Sequence, residues 1–210
     1  ALERLGEAAR ERAPRARRGA VTGSVGKTSV TQAIMAGLKL AGRAHSSVKS
    51  YNNHIGVPLT LARMPRDTER AVFEIGMNHA NEITPLSEFV APHCVVITTV
   101  GAVHTENFPD GEAGVARAKA EIFDGLLPGG LAVLNADNNW FDYLAGQARA
   151  AGALVATFGE HGGCDAQLVE HRVNGDRAGI AARFHGRDIV FSLSHTGKPQ
   201  IGKASCRERV

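Results

Sequence analysis

Residues 20–29, AVTGSVGKTS, decide the fold of this chain. An apolar run leads into a turn with Gly23 and Gly26, and Lys27 and Thr28 follow at the start of a predicted helix. Glycines let backbone N–H groups converge on an anion, and the helix N-terminus adds partial positive charge. Lysine supplies a mobile charge for the β- and γ-phosphates, and the threonine hydroxyl is placed to ligate Mg²⁺. The segment therefore predicts a P-loop that binds ATP or GTP.

The loop departs from the general pattern G-x-x-x-x-G-K-[ST], because Val21 stands where the pattern has its first glycine. A strand-to-helix turn that happens to contain glycines is the alternative. The strand before the loop and the helix after it favour phosphate binding. The predicted nucleotide contacts in the loop are Thr22, Gly23, Ser24, Val25, Gly26, Lys27, Thr28 and Ser29.

Composition places the chain among ordinary globular proteins. It has 210 residues, of which 43% are hydrophobic, and a net charge of +3. This length predicts one domain with a sizeable core, and the small net charge gives no reason to expect nucleic-acid binding. Arginines are frequent in residues 1–18 but alternate with glutamates, which is typical of a solvated helix and linker.

The cysteines favour a reducing, cytoplasmic setting. Cys94, Cys164 and Cys206 are far apart and show no metal-ligand spacing, so a disulfide framework is not expected. The sequence has no apolar run of about 18 residues, which predicts no membrane span. Its first residues lack the apolar segment of a signal peptide.

Strand-like and helix-like segments alternate after the loop. Helices are predicted over 27–40, from 56, and over 82–90, 112–126 and 138–150; strands are predicted over 44–48, 71–75, 94–100, 131–134 and 154–158. Three short alternating segments follow at 166–173, 179–185 and 188–193, with Asn-Gly and His-Gly turns between them. The predicted fold is α/β: a P-loop-containing, mostly parallel sheet flanked by helices, with a small antiparallel edge meander near the C-terminus.

Polar residues follow several predicted strands at their carboxyl ends, where open α/β sheets bind ligands. Glu74 ends one strand and is either a Mg²⁺ ligand or part of an ion pair. His104 follows another, where a metal or phosphate contact competes with a purely structural role. Asn135 and Asp137 follow a third and suit either a nucleotide or a helix cap. The polar turn at Asn52 and Asn53 leaves both kinds of role open.

Lys119 falls beside the apolar stripe of the helix predicted over 112–126, since Val115, Ile122 and Phe123 are its helical neighbours. A buried lysine is unfavourable unless it is paired or modified. Carbamylation would turn the amine into an anion that can bind Mg²⁺. The residues alone favour a snorkelling lysine whose stem covers apolar surface.

Six motifs in this order resemble the central ATPase domain of the Mur ligases, which build the peptide stem of bacterial cell-wall precursors. They are TGSVGKTS at 22–29, YNNHIGVPLTL at 51–61, EIGMNHANEI at 74–83, HTENF at 104–108, ARAKAEIF at 116–123 and NADNN at 135–139. The resemblance covers roughly residues 15–195. Within the family, the second and third motifs are most similar to the ligases that add D-alanyl-D-alanine to UDP-MurNAc-tripeptide.

The resemblance implies an ATP-dependent amide ligase that works through an acyl phosphate, in the cytoplasm and as a monomer. It implies ATP and two Mg²⁺ ions, with Lys27, His104 and Lys119 as catalytic residues. The implied metal ligands are Thr28, Glu74, His104 and a carbamylated Lys119. Asn135 and Asp137 would face the nucleotide, and Asn52 and Asn53 would lie in the substrate loop. Such a site needs cations and fixed donors more than a protein base.

The resemblance also predicts how the chain is divided. Residues 1–18 would be the end of an N-terminal substrate domain plus linker, 19–200 a truncated central ATP-binding domain, and 201–210 a non-native tail. The family's GxHN segment is missing, and GKASCRERV stands at 202–210 in its place. The chain is therefore expected to be a fragment that binds nucleotide weakly and does not ligate by itself.

Two alternatives remain. One is another ligase of the same superfamily, such as a folylpolyglutamate synthase or a ligase for a different amino acid. The other is a P-loop NTPase that works as a binding module and makes no amide product. Glu74, His104 and Lys119 argue against the second, because a simple switch needs no second metal site.

Overall fold

The computed structural model describes residues 1–103 and 105–193. Its strands form one nine-stranded sheet in the order β2-β3-β1-β4-β5-β6-β7-β8-β9. They are β1 (Arg17–Thr22), β2 (Ala44–Ser46), β3 (Arg70–Glu74), β4 (Cys94–Ile97), β5 (Leu131–Asn135), β6 (Leu154–Gly159), β7 (Ala166–Asn174), β8 (Arg177–Phe184) and β9 (Arg187–Leu193).

Strand direction divides the sheet into two parts. The strands from β2 to β7 pair in parallel, while β8 pairs with β7 and β9 in antiparallel register. Tight turns at Gly175 (φ 60°) and Gly186 (φ 77°) join the antiparallel strands, because glycine adopts positive φ without steric strain. This architecture confirms the predicted parallel sheet with an edge meander.

The helices are α1 (Leu2–Arg12), α2 (Lys27–Ala41), α3 (Gly56–Ala62), α4 (Ile83–Val90), α5 (Glu112–Ala120) and α6 (Phe141–Ala150). Two of them differ from the predicted spans by more than one residue. After Ala120 the chain of α5 tightens into a 3-10 turn, Glu121–Phe123. Helix α6 begins three residues later than predicted, because the Asn138 side chain accepts a hydrogen bond from Trp140 N (3.0 Å) and ends the preceding turn.

Apolar side chains from the parallel strands form the core. Phe73, Ile97 and Leu134 lie on β3, β4 and β5 and are at most 1% exposed. Helix α1 packs on α3, and Arg10 donates to Phe89 O (2.7 Å) at the end of α4. No helix in the described ranges is long and apolar enough to cross a bilayer.

Topology determines where a ligand can bind. Strand β1 lies between β3 and β4, so the chain leaves the carboxyl ends of these three strands at one edge of the sheet. Crevices at this edge, where the strand order reverses, are the usual ligand sites of open α/β sheets.

Candidate active site

The loop between β1 and α2 is shaped to receive an anion. Gly23 (φ 148°) and Gly26 (φ 84°) adopt backbone conformations that other residues rarely adopt. Within the described residues, the backbone N–H groups from Val25 to Ser29 have no hydrogen-bond acceptor. These N–H groups precede or begin α2, so the partial positive charge at the N-terminus of this helix also attracts an anion.

Lys27 lies over this loop. Its Nζ donates to the carbonyl oxygen of Gly23 (2.8 Å). Burial lowers the pKa of Lys27, and the nearby carboxylate of Glu74 raises it in partial compensation. The lysine is thus a partly desolvated cation at the phosphate loop, where its attraction for an anion is less screened than in water.

Glu74 ends β3 beside the loop and is 2% exposed. Its Oε1 accepts hydrogen bonds from Ser50 Oγ (2.7 Å) and Asn52 Nδ2 (2.7 Å), and Thr28 Oγ1 lies 3.4 Å from the same Ser50 hydroxyl. One carboxylate and two hydroxyls therefore meet at the start of α2. The described ranges hold no group of three His, Cys, Asp or Glu side chains that could bind a metal unaided.

These oxygens suit Mg²⁺ better than Zn²⁺. Mg²⁺ usually takes one or two protein oxygens and completes its shell with water and substrate phosphates, so a complete protein cage is not required. Ser50 was not among the predicted site residues. The only available signal was its place at the start of the polar turn, two residues before Asn52.

Lys119 lies on α5 and is only 3% exposed, so its stem does not carry the ammonium into bulk solvent as a snorkelling side chain would. Burial, and then the charge of Lys27, lower the pKa of Lys119 to about 7. A substantial fraction of this amine is consequently neutral at physiological pH. A neutral amine is nucleophilic and can react with CO₂ to form a carbamate.

The remaining predicted residues lie nearby or outside the described ranges. Asn135 donates to Thr98 O (3.3 Å) and accepts from Asp137 N (3.0 Å). Asp137 accepts from Glu160 N (2.7 Å) and from His161, and these contacts lower its carboxyl pKa in spite of partial burial. Asn135 thus connects the end of β5 to the segment after β4, and Asp137 contacts the segment after β6. Contacts of either side chain with a nucleotide stay predictions. His104 lies outside the described residues.

A cavity of about 270 Å³ opens beside Lys27. Asn52, Asn53 and Glu82 are among the residues that line it. The Asn53 side chain also accepts hydrogen bonds from Ile55 N (3.2 Å) and Gly56 N (2.9 Å), which fixes the turn before α3. The predicted substrate loop therefore lines a polar cavity next to the phosphate loop.

Comparison with known families identifies the fold. The model of the Mur ligase middle domain matches residues 21–202. The chain belongs to the Mur ligase family. The family model begins one residue before the phosphate loop and extends past the antiparallel strands.

Individual Mur ligases agree with this assignment. The chain is 40% identical over 88% of its length to the UDP-N-acetylmuramoyl-tripeptide–D-alanyl-D-alanine ligase of Bacillus subtilis. Crystal structure I of MurF from Acinetobacter baumannii superimposes on 97% of the chain with a TM-score of 0.88 and 28% identity. MurF of Thermotoga maritima, solved in complex with ADP, shares the fold over 92% of the chain with a TM-score of 0.80 and 21% identity.

The chain is shorter than these Mur ligases. It spans 38% of the length of the Bacillus protein and 44% of each of the two solved MurF chains.

This Mur ligase middle domain gathers Lys27, Glu74 and Lys119 at one sheet edge. Glu74 influences the pKa of Lys27, and Lys27 influences that of Lys119. Glu74 compensates only in part for the burial of Lys27, so an anionic ligand would stabilise the charged form of this lysine further.

Proposed function

We propose that this chain is the ATP-binding part of a ligase that joins D-alanyl-D-alanine to UDP-MurNAc-tripeptide through an acyl phosphate. The observation that carries the proposal is the set of N–H groups at residues 25–29, which have no acceptor in the part of the chain that the structure describes, with Lys27 and Glu74 beside them. The 40% identity to the Bacillus ligase and the likeness to MurF structures support the choice of substrates.

ATP would bind with its β- and γ-phosphates on the loop N–H groups and on Lys27. Lys27 would release Gly23 O, to which it donates at 2.8 Å, and turn to the phosphates. Mg²⁺ would be held by Thr28, Ser50 and Glu74 and would neutralise phosphate charge. Asn135 and Asp137 would face the rest of the nucleotide, and His104 would serve the transferred phosphoryl group and the second Mg²⁺.

In the first step two anions react with each other, the tripeptide carboxylate and the γ-phosphate of ATP. The amide bond to the second substrate forms only afterwards. A carboxylate oxygen of the tripeptide attacks the γ-phosphorus of ATP, ADP leaves, and an acyl phosphate forms. The dipeptide amine then attacks the acyl carbon, inorganic phosphate leaves, and one proton is lost from nitrogen. The cavity lined by Asn52 and Asn53 would hold the reacting carboxylate beside Lys27. Fixed cations and donors supply the catalysis, because charge repulsion is the main obstacle.

Lys119 would act as a carbamate that binds the second Mg²⁺. Its pKa of about 7 supports this role, because CO₂ reacts with the neutral amine. A carbamate would also replace the repulsion between Lys119 and Lys27 by attraction. Detection of this group by mass spectrometry or ¹³C NMR in ¹³C-bicarbonate would test the modification directly.

We further propose that residues 19–200 are the central domain, that 1–18 end a preceding domain, and that the protein is a cytoplasmic monomer. The chain covers only 38% of the length of the Bacillus ligase, which supports the proposal that it is part of a longer protein. The chain alone would then bind nucleotide without ligating. Residues 201–210, proposed as a non-native tail, lie outside the described residues.

Calorimetric titration with Mg²⁺ and a non-hydrolysable ATP analogue tests the nucleotide site. The chain should bind, Lys27→Ala should abolish binding, and Lys39→Ala, an exposed lysine on the same helix, should not. Binding that survives Lys27→Ala would contradict the site.

The full-length protein tests the reaction. We expect an amide product only from ATP, UDP-MurNAc-tripeptide and D-alanyl-D-alanine together. Product with glutamate or another amino acid in place of the dipeptide would overturn the substrate assignment, and ATP hydrolysis without any amide product would overturn the ligase assignment.

A further inference from the structure

The phosphate loop is fastened to the segment that follows β4, residues 98–101, which we name the β4 loop. Thr98 N donates to Thr22 O (3.0 Å), and Ser24 N donates to Thr99 O (2.8 Å). The hydroxyl of Ser24 donates to Gly101 O (3.1 Å) and accepts from Gly101 N (3.0 Å). These contacts are made by backbone atoms or by the loop's own serine.

One further hydrogen bond between the two loops is donated by a side chain of the β4 loop. Thr98 Oγ1 donates to the carbonyl oxygen of Val25 (2.6 Å), and the residue is 7% exposed. Gly23 makes room for this hydroxyl, because a Cβ on Gly23 would overlap with Thr98 Oγ1. The hydroxyl thus occupies space that only a glycine at position 23 leaves free.

The position of Val25 O determines where the next N–H group points. The carbonyl and the N–H of a trans peptide unit point in opposite directions. Thr98 holds Val25 O on the side of the β4 loop, so Gly26 N–H points to the open side of the phosphate loop. Gly26 has φ 84°, which fits this peptide orientation, and its N–H has no acceptor within the described residues.

Two asparagine side chains, from the segment after β5 and from the end of β5, donate hydrogen bonds to the β4 loop. Asn138 Nδ2 donates to Thr99 Oγ1 (2.9 Å) and to Val100 O (2.7 Å). Asn135 Nδ2 donates to Thr98 O (3.3 Å). Thr98 therefore belongs to a loop that is fixed by hydrogen bonds from Asn135 and Asn138, and its hydroxyl can hold Val25 O in one position.

We propose that Thr98 is a positioning residue: its hydroxyl orients the Val25–Gly26 peptide so that Gly26 N–H is aimed at a nucleotide phosphate before the nucleotide arrives. This inference rests on the proposed nucleotide site and adds a residue outside the loop motif. Preorganised donors bind more tightly because no free energy is spent on turning the peptide during binding.

Thr98→Val tests the proposal, because it removes the hydroxyl and keeps the shape of the side chain. Loss of one hydrogen bond corresponds to roughly a 3- to 10-fold weaker affinity for ADP–Mg²⁺ in calorimetry. Thr98→Ser keeps the hydroxyl and should restore most of the affinity. Thr60→Val is the matched control, since Thr60 is also buried and donates to a carbonyl, Gly56 O (2.8 Å), away from the phosphate loop.

The outcomes separate this proposal from the function on which it rests. Weaker binding by Thr98→Val alone, with rescue by Thr98→Ser, supports the positioning role. Equal binding by wild type and Thr98→Val, while Lys27→Ala abolishes binding, overturns the positioning role and leaves the nucleotide site standing. Equal weakening by Thr60→Val assigns the effect to general stability and also overturns the positioning role. Absence of Lys27-dependent binding in the wild type overturns both.

Discussion

Replacing Lys119 by methionine should stabilise the unliganded chain while removing its proposed metal ligand. Methionine has a similar length and no charge, so it can fill the same buried space. The folded chain lowers the pKa of Lys119 from 10.5 to about 7, chiefly through burial and then through Lys27. Since one pKa unit corresponds to about 1.4 kcal/mol, this shift corresponds to roughly 4–5 kcal/mol of lost stability at neutral pH.

The pH dependence of this effect has a definite sign. Between pH 10.5 and about 7 the unfolded chain binds more protons at Lys119 than the folded chain, so wild-type stability falls as pH falls through this window. Lys119→Met removes that dependence. The stability advantage of the variant should therefore grow by roughly 2 kcal/mol from about pH 9 to about pH 7.

Urea unfolding in CO₂-free buffer at several pH values measures this difference. Lys39→Met on α2 is the control, because Lys39 is exposed. Bicarbonate should reduce the advantage of Lys119→Met if wild-type Lys119 forms a carbamate, because the amine then no longer has to be buried as an ammonium. A stability difference that does not change with pH would refute the assignment of Lys119 as a desolvated amine.

Three other substitutions probe separate parts of the site. Gly23→Ala should weaken nucleotide binding at least about 10-fold in calorimetry, because φ is 148° there and the added Cβ overlaps with the Thr98 hydroxyl; unchanged affinity would contradict this loop geometry. Glu74→Gln should leave the melting temperature of the unliganded chain the same or lower, because it removes the carboxylate that partly compensates the burial of Lys27. The same variant should lower nucleotide affinity only when Mg²⁺ is present, and an equal loss in EDTA would argue against a metal ligand. Asp137→Ala should cost about 1–2 kcal/mol in urea unfolding, because Glu160 N and His161 N lose their acceptor; a large loss of nucleotide affinity without loss of stability would instead support a direct nucleotide contact.

The parallel part of the fold could be predicted from sequence because its signals are local. Strand β4 is a β-branched run, and α2 starts at the phosphate loop and ends before Gly42. The antiparallel meander was also predictable, since Asn-Gly and His-Gly turns separate its strands at Gly175 and Gly186. In each case the residues that form the element also mark its ends.

Contacts between distant segments could not be predicted in the same way. Ser50 and Glu74 are 24 residues apart, and nothing in either segment indicates that the hydroxyl donates to the carboxylate. Asn138 looked like the first residue of a helix, but its amide reaches the β4 loop and α6 starts at Phe141. Helix periodicity shows which residues face the sheet, but not which side chains cross a loop to another strand.

Lys119 shows how a site can be suggested by sequence and still depend on the fold for its chemistry. Periodicity placed it beside an apolar stripe, and this favoured a snorkelling side chain. In the fold α5 leaves it 3% exposed, and Lys27 adds its charge. The charge of Lys27 makes the charged form of Lys119 less favourable, and Glu74 compensates only in part for the burial of Lys27. The site thus holds a cation beside a buried amine, and an anion bound at Lys27 would reduce the unfavourable interaction between the two.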